Sequence, residues 1–492
     1  MKKSIYIVLM LLLGFSSYGQ LATDILRYGQ TSHNGTARSL GVGNSMSALG
    51  GDFTAAAQNP AGIAGIRFSE FSFGMGTTAT TTRAVLLNTG TDVSYSSSVA
   101  PFSINHAHIV VAEHDRNISG WRGISFGVGF NRLANYNREF YYDGISPGTI
   151  TERFANQADG LLPDELNGFE DGLAYTVGAI YPSSQDETIY LTDFIEGEPV
   201  SKSQLVRSRG SLNELTLNLG MNYEDKLYLG FAGNIVSLDY SEDKVYSETD
   251  EVTNSNAIFE TLDFEEDLSI EGSGFNAKFG VIYKPNFNIR LGTSIQTPTV
   301  IELDEEYTTA LDYAYTLNGY QNFVEYSPEG FFNYKVRTPW RFNAGAAFIA
   351  KKIGFISMNA EYIDYKSSRF NFHNTLSEAD ITYEGELNNT IRRDFSSAWD
   401  LSLGTEIRLD KFRLRLGGGY FGSPFGSEAV GINHYNAGIG FHSGRVFLDL
   451  GGEYSTFSEG YRPYVVSSNY GQSVDIDGNN LVISATFGVK FD

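Results

Sequence analysis

Fourteen stretches of about 10 to 18 residues alternate apolar residues with polar ones or glycine, the pattern of barrel strands. The connections between them are by turns very short and very long. In residues 445–454, Val446, Leu448, Leu450 and Tyr454 point one way, and Phe447, Asp449, Gly451 and Glu453 the other. A strand that separates lipid from a polar lumen needs this period of two, and only a closed sheet leaves no unpaired edge in a bilayer. The pattern therefore predicts an all-β fold, a transmembrane antiparallel β-barrel of about 14 strands.

Composition excludes the main competitors. No stretch of about 18 apolar residues is present to span a membrane as a helix. The 53 glycines, 30 tyrosines and 35 phenylalanines suit strands with close backbone contacts and aromatic girdles at two interfaces. The absence of cysteine removes disulfides, thiolate metal sites, cysteine nucleophiles and lipidation through cysteine. A net charge of −23 argues against nucleic acid as a partner. The acidic residues collect in 241–250, 260–267 and 302–306, and such runs predict solvated loops.

The N-terminus supplies the compartment. Lys2 and Lys3 precede an apolar run over residues 5–15, and Ser17-Tyr18-Gly19 offers small residues where a signal peptidase cuts. This predicts a signal peptide over residues 1–19, an N-terminal segment over 20–68 and a barrel with long extracellular loops over 69–492. Secretion combined with a barrel implies the outer membrane of a Gram-negative cell.

The strands are expected to start near Ser69, Phe102, Trp121, Ser211, Lys226, Ile270, Asn288, Phe332, Ile353, Ser396, Phe412, Ile432, Arg445 and Asn480. Glu224-Asp225, Lys284-Pro285-Asn286, Lys351-Lys352, Asp410-Lys411 and His442-Ser443-Gly444 read as tight periplasmic turns. The long links, notably 137–210, 241–269, 307–330, 367–395 and 456–479, then lie outside. The second strand alternates poorly. The third alternates cleanly through Ile124, Phe126, Val128 and Phe130 and then meets the polar stretch from Asn131 and Arg132 to Asn135. That stretch reads either as a kink or bulge or as the strand's exit into an outer loop.

Chemistry is sparse. None of the seven histidines sits in a catalytic setting, so an enzyme is not expected. His106 and His108 share a strand face without a third ligand, and nothing in the spacing around His33 argues for haem. No cofactor or metal is expected.

About fifty residues before the first strand do not alternate. Gly35, Arg38, Gly41 and Gly43 lead to Asp52, and Asn59, Pro60 and Ala61 close the segment. So many small residues permit close backbone approach, either as a plug folded into the lumen or as a periplasmic tail. With these residues the chain resembles the FadL family of outer-membrane transporters of long-chain fatty acids and other hydrophobic compounds. Thr297-Pro298-Thr299, residues 337–342, Gly354-Phe355-Ile356 and Glu361-Tyr362 are similar to the branch of that family common in Bacteroidetes.

The resemblance implies that residues 20–68 form a hatch in the lumen and that an outer apolar site collects ligand. It also implies that a kink in the third strand, at Asn131 and Arg132, opens the wall sideways. Apolar ligands then pass into the lipid by passive uptake. Capture residues are expected in the 137–210 link, at Phe154, Leu161, Leu162, Leu166 and Phe169, which read equally as the loop's own small core. A carboxylate ligand would find Arg153, Arg207 or Arg209. The partners implied are outer-membrane lipid and lipopolysaccharide and a hydrophobic small molecule. The alternative is a FadL-like barrel that docks a protein partner or serves a secretion machinery.

Overall fold

The computed structural model describes residues 22–31, 35–87, 93–115, 119–194, 198–250, 258–372, 377–425, 431–466 and 472–492. The expected signal peptide, residues 1–19, and His33 lie outside these residues.

Fourteen wall strands pair antiparallel, each with its neighbours in sequence: β1 (Ser69–Leu86), β2 (Phe102–His114), β3 (Trp121–Asn135), β4 (Pro199–Tyr223), β5 (Leu227–Thr249), β6 (Phe259–Tyr283), β7 (Ile289–Gln296), β8 (Trp340–Ala350), β9 (Gly354–Asp364), β10 (Ser397–Leu409), β11 (Phe412–Phe421), β12 (Ile432–Ser443), β13 (Val446–Tyr461) and β14 (Val474–Phe491). Strand β14 pairs with β1 from Ser69↔Phe491 to Leu86↔Val474, which closes the barrel. The outward residues are apolar and exposed, as at Leu401, Leu403, Leu414, Leu416, Leu448 and Leu450. Among the described residues no helix is long and apolar enough to cross a membrane.

The tight turns follow from backbone chemistry. Glu224 and Asp225 both have φ near +55°, the conformation of a two-residue hairpin whose twist matches its strands. Asp410 and Lys352 take the same left-handed region at their turns.

The acidic runs are not loops. Residues 241–249 belong to β5, 260–267 to β6, and 302–306 to a strand, Val300–Thr316, that carries the line of β7 upward. Alternation continues there with its polarity inverted. Asp263, Glu265 and Asp267 face out while Leu262 and Phe264 are buried inside. The physical reason is that above the bilayer the outer face meets water and the inner face meets packed protein, so the same period of two serves the opposite partition. Long outer links therefore shorten into wall extensions capped by helices: α4 (Ile150–Ala158) and α5 (Asp171–Thr176) between β3 and β4, and α6 (Glu378–Asp394) between β9 and β10.

Three adjacent strands break at one level. The break between β7 and Val300–Thr316 falls at Thr297-Pro298-Thr299, and β8 is preceded at Thr338-Pro339 by the strand Gly330–Arg337. Strand β9 is followed by a 3-10 turn, Tyr365–Ser367, and a short strand, Arg369–Asn371. Proline cannot donate to a ladder, so Pro298 and Pro339 force the first two breaks, yet the neighbours compensate. The Thr338 N–H donates to the Thr299 carbonyl at 2.9 Å, and the Thr299 N–H donates to Thr338 Oγ1 at 2.9 Å. Register survives: Gln296↔Arg341 below the break leads to Val300↔Arg337 above it.

Candidate functional site: a plugged lumen beside a window in the wall

Residues 35–66 lie inside the barrel, in contact with wall strands on all sides. They contain α2 (Ala37–Gly41), α3 (Ala55–Gln58) and a 3-10 turn, Pro60–Gly65. What permits this is glycine on the lumen face of the wall. A Cβ on Gly230 would lie 2.1 Å from Ala61 N, one on Gly280 1.9 Å from Asn59 Oδ1, and one on Gly451 2.2 Å from the Ala37 carbonyl. Gly292, Gly404 and Gly417 meet Ser47, Val42 and Gly43 in the same way. The segment's backbone thus rests on the backbone of the wall.

Each residue of the N-terminal motif has a role in this seating. The Asn59 side-chain amide donates to the Ser47 carbonyl at 2.8 Å and the Val281 carbonyl at 3.2 Å, and its oxygen accepts from Ala61 N at 3.1 Å. It thereby caps the turn that Pro60 begins and ties it to β6. Asp52 accepts from the Thr36 hydroxyl and from Thr54 N, both at 2.9 Å, joining the two ends of the segment. Gly35 lies against Thr54, where a side chain would not fit, and Gly41 lies against Gly438. Gly43 has φ +63°, which lets the chain turn back over Gly418. Arg38 reaches Glu406 at 3.3 Å, and Glu406 also holds Arg415 at 2.9 Å. Arg415, fully buried, pairs in turn with Asp449 at 2.7 Å. Lys278 with Glu214 at 2.9 Å and Arg341 with Glu361 at 3.1 Å repeat the theme, so the charges of the lumen neutralise one another.

Above these residues the lumen is filled with apolar side chains. Ile25, Leu26 and Tyr28 of α1 (Asp24–Gly29) pack with Leu387 and Ile391 of α6 and with Ile301, Leu303 and Val336 of the wall extensions. Leu133 and Ala134 of the third strand, and Tyr136 just beyond it, join this cluster. Tyr136 donates to the Arg27 carbonyl at 2.6 Å, and the Arg27 guanidinium lies 4.0 Å from the Tyr240 ring.

The wall is discontinuous between β2 and β3. Pairing runs from His114↔Gly123 up to His106↔Asn131 and stops there. Asn105 is a bulge in β2, where the register to β1 shifts between Gly74 and Met75, and Leu133 is a bulge in β3, where the register to β4 shifts between Arg132 and Ala134. Residues 102–105 and 132–135 consequently face each other unpaired. Higher up, the continuation Arg138–Pro147 returns to the wall: the Thr82 hydroxyl donates to the Glu139 carbonyl at 2.5 Å, and the rings of Tyr95 and Tyr141 meet edge to face at 5.0 Å. The result is a window, bounded below by the Asn131 pair and above by residue 138 and its successors. The Asn105 bulge also explains the poor alternation of β2. Ile109 and Val111 face lipid below it and Ile104 and Phe102 above it, so the parity changes by one.

His106 and His108 share the lumen face and stack at 5.6 Å, with Phe53 of the plug stacked on His108 at 4.6 Å. Ser72 Oγ lies 3.2 Å from His106 Nε2, but a catalytic triad needs a carboxylate on the other ring nitrogen, and among the described residues no carboxylate bonds His106 Nδ1. Among the described residues no three histidine, aspartate or glutamate side chains gather to hold a metal.

In the outer loop Phe154 is fully buried, edge to face with Phe264 at 5.4 Å, and Leu166 packs on the same cluster. Phe169 lies on Tyr307 at 4.7 Å, Leu161 is half-buried, and Leu162 is exposed. Most of these side chains thus build the loop's own core. Glu248 anchors it by accepting from the Thr149 hydroxyl, from Ile150 N at 2.9 Å and from Tyr246 at 2.6 Å. Burial pushes the Glu248 carboxyl up and the nearby Lys202 ammonium down to about 8, while Glu248 opposes the latter shift. Burial likewise raises Asp171 to about 6. The three loop arginines are occupied: Arg153 with Glu170 at 2.5 Å, Arg207 with Glu139 at 2.8 Å and Arg209 with Asp243 at 3.0 Å.

Closed strands, an apolar outer belt and a lumen occupied by the N-terminal segment define a plugged transmembrane β-barrel. No family model matches the chain, and no curated protein is similar to it. Among solved structures it is similar to a Pseudomonas aeruginosa FadL homologue, with a TM-score of 0.53 at 12% identity over 94% of this chain and 100% of that one. The Ralstonia pickettii toluene transporter TbuX gives 0.51 at 13% identity over 94% and 100%, and the Pseudomonas putida toluene transporter TodX 0.50 at 12% over 94% and 99%. The fold is therefore that of an outer-membrane barrel of the FadL type.

Sequence reading singled out the glycine-rich segment and the polar stretch that follows Phe130. It missed the wall glycines, Leu133 and the Glu406–Arg415–Asp449 chain. A glycine recurring on the polar face of successive strands was the available signal for the first; the others depend on pairing between distant residues.

Proposed function

We propose that this barrel takes up hydrophobic small molecules passively and releases them sideways through the window between β2 and β3. The observation that carries the reading is the window itself: the wall lacks pairing beside a lumen blocked by residues 35–66. A molecule entering from outside has no straight path to the periplasm, whereas the apolar cluster around α1 adjoins Leu133 and Ala134 at the window's edge. An apolar chain displacing α1 keeps its methylenes out of water at about 0.8 kcal/mol each, which a water-filled pore does not offer. The solved structures of this fold include proteins described as toluene transporters, which agrees with an apolar cargo. Long-chain fatty acids and aromatic hydrocarbons are the candidate ligands.

Deleting Leu133 removes the β3 bulge and restores alternation through Ala134, and deleting Asn105 with it removes the β2 bulge, so that the two strands can pair across the window. Cells that depend on this chain for a labelled long-chain compound should then lose most of their uptake, while the barrel still shows heat-modifiable mobility on a gel. Wild-type uptake by such a folded variant would refute lateral release.

A second reading, docking of a protein, has one observation in its favour. The strand Tyr320–Tyr326 extends the outer sheet with Tyr320, Phe323, Val324 and Tyr326 all exposed, a surface suited to strand addition. Stable co-purification of a partner, lost when these four residues become serine, would favour it.

A further inference from the structure

We infer that Arg132 is an anion-binding group on the outer lip of the window, and that it tunes the exit for ligands carrying a carboxylate on an apolar chain. This rests on the window being the exit.

Arg132 is in register with Asn213 and belongs to the outward face of β3, in line with Ile124 and Phe126, which are both about half exposed to lipid. Trp121 marks the lower membrane boundary of this strand. Eleven residues of a tilted strand bring Arg132 to the upper boundary, since a barrel strand needs about 9 to 11 residues to span the bilayer. The outer face turns polar at this level: the next strands present Asn213 and then Ser237.

The guanidinium there is half-buried and has no hydrogen bond or ion pair to any described residue, and its Nε is enclosed without an acceptor. A cation kept partly out of water and without a counter-charge is costly, and the cost is recovered when an anion arrives. The arginines of the outer loop contrast with it, because Arg153, Arg207 and Arg209 each already hold a carboxylate.

The rest of the window fits an amphiphile. Across the gap, Phe102 and Ile104 are exposed on the lipid face and offer a surface to a chain. On the inner lip Asn131 is buried with neither amide atom bonded to a described residue, so it has a donor to give as a head group passes. A guanidinium binds a carboxylate through two parallel hydrogen bonds, and a neutral hydrocarbon offers it nothing. Chain and head group are thus met on opposite sides of the gap, the chain by β2 and the head by β3.

The test compares hexadecanoate with hexadecanol, two ligands of the same chain, in cells that express the full-length protein as their only route for either. Arg132→Met should lower hexadecanoate uptake about tenfold, the loss of one charged hydrogen-bonded contact, and leave hexadecanol within about twofold. Arg132→Lys should restore most of the hexadecanoate rate. Equal effects on acid and alcohol, or no effect on the acid, overturn the inference. The anion could also be a lipid A phosphate, so hexadecanoate binding is measured on the purified chain in lipopolysaccharide-free detergent. Weaker binding by Arg132→Met there supports the ligand carboxylate, and unchanged binding overturns it. If deletion of Asn105 and Leu133 together leaves uptake of both compounds intact in a folded barrel, lateral release itself has failed, an outcome separate from any difference between acid and alcohol.

Discussion

Among the described residues the wall is interrupted in two regions, and only one of them loses pairing between neighbouring strands. At Thr297–Thr299, Thr338–Pro339 and Tyr365–Ser367 three neighbouring strands break together; hydrogen bonds between Thr299 and Thr338 carry the register across the first two, and pairing resumes at the third from Trp340↔Asp364 below to Arg337↔Arg369 above. At Asn105 and Leu133 two strands bulge independently, one toward β1 and the other toward β4, and the pairing between them ends at Asn131. A break shared in register bends a barrel. A break relative to the outer neighbours only, with nothing shared across the gap, parts it.

The contrast supposes that the plug closes every other route. The largest expected effect therefore comes from unseating it. Gly230→Val places carbon where Pro60 and Ala61 now touch the wall. It should make cells sensitive to large hydrophilic antibiotics such as vancomycin, while Gly233→Val, whose Cβ meets nothing closer than Phe275 at 3.8 Å, should not. Unchanged antibiotic susceptibility of the Gly230 variant would show that the lumen is closed by something else.

Next in size is an attempt to loosen the sealed break. Thr338→Val deprives the buried Thr299 N–H of its acceptor, which costs about 1–3 kcal/mol, measurable by denaturant unfolding and by faster exchange of the Thr299 amide. Uptake should stay at the wild-type rate. A rise in uptake would mean that a shared break also parts the wall.

The smallest effect concerns the outer cap, which is expected to govern neither opening. Burial raises Asp171 from 3.8 to about 6, so between these values the folded loop binds more protons than the unfolded one. Its stabilising contribution is complete below 3.8 and is lost as pH rises through about 6. Amide protection of residues 171–176, corrected for intrinsic exchange, should therefore fall between pH 4 and pH 7 by the linkage of proton binding to folding. Asp171→Asn should flatten the profile, and uptake should not follow it.

The barrel was legible because period two and tight turns are local signals. Leu401, Leu403, Leu414 and Leu416 declare their face without reference to any other strand. The acidic runs misled because charge was read as loop, whereas Asp263, Glu265 and Asp267 are outward residues of a strand that has left the membrane. At the window the polar stretch after Phe130 was visible, but the loss of pairing was not. A missing ladder is a relation between residues 102–105 and 132–135, and neither segment announces it alone. The pairing of Arg38 with Glu406 joins positions 368 residues apart, and Arg415 meets Glu406 and Asp449 only across strands, so none of these contacts is written in a single segment.

The glycines that seat residues 35–66 bear on how the molecule is made. Contacts at backbone distance leave no clearance for the segment to be threaded into a finished cylinder. Residues 35–66, which precede every wall strand, should therefore be in place when β14 zips onto β1. The plug is then the former around which the wall is wound.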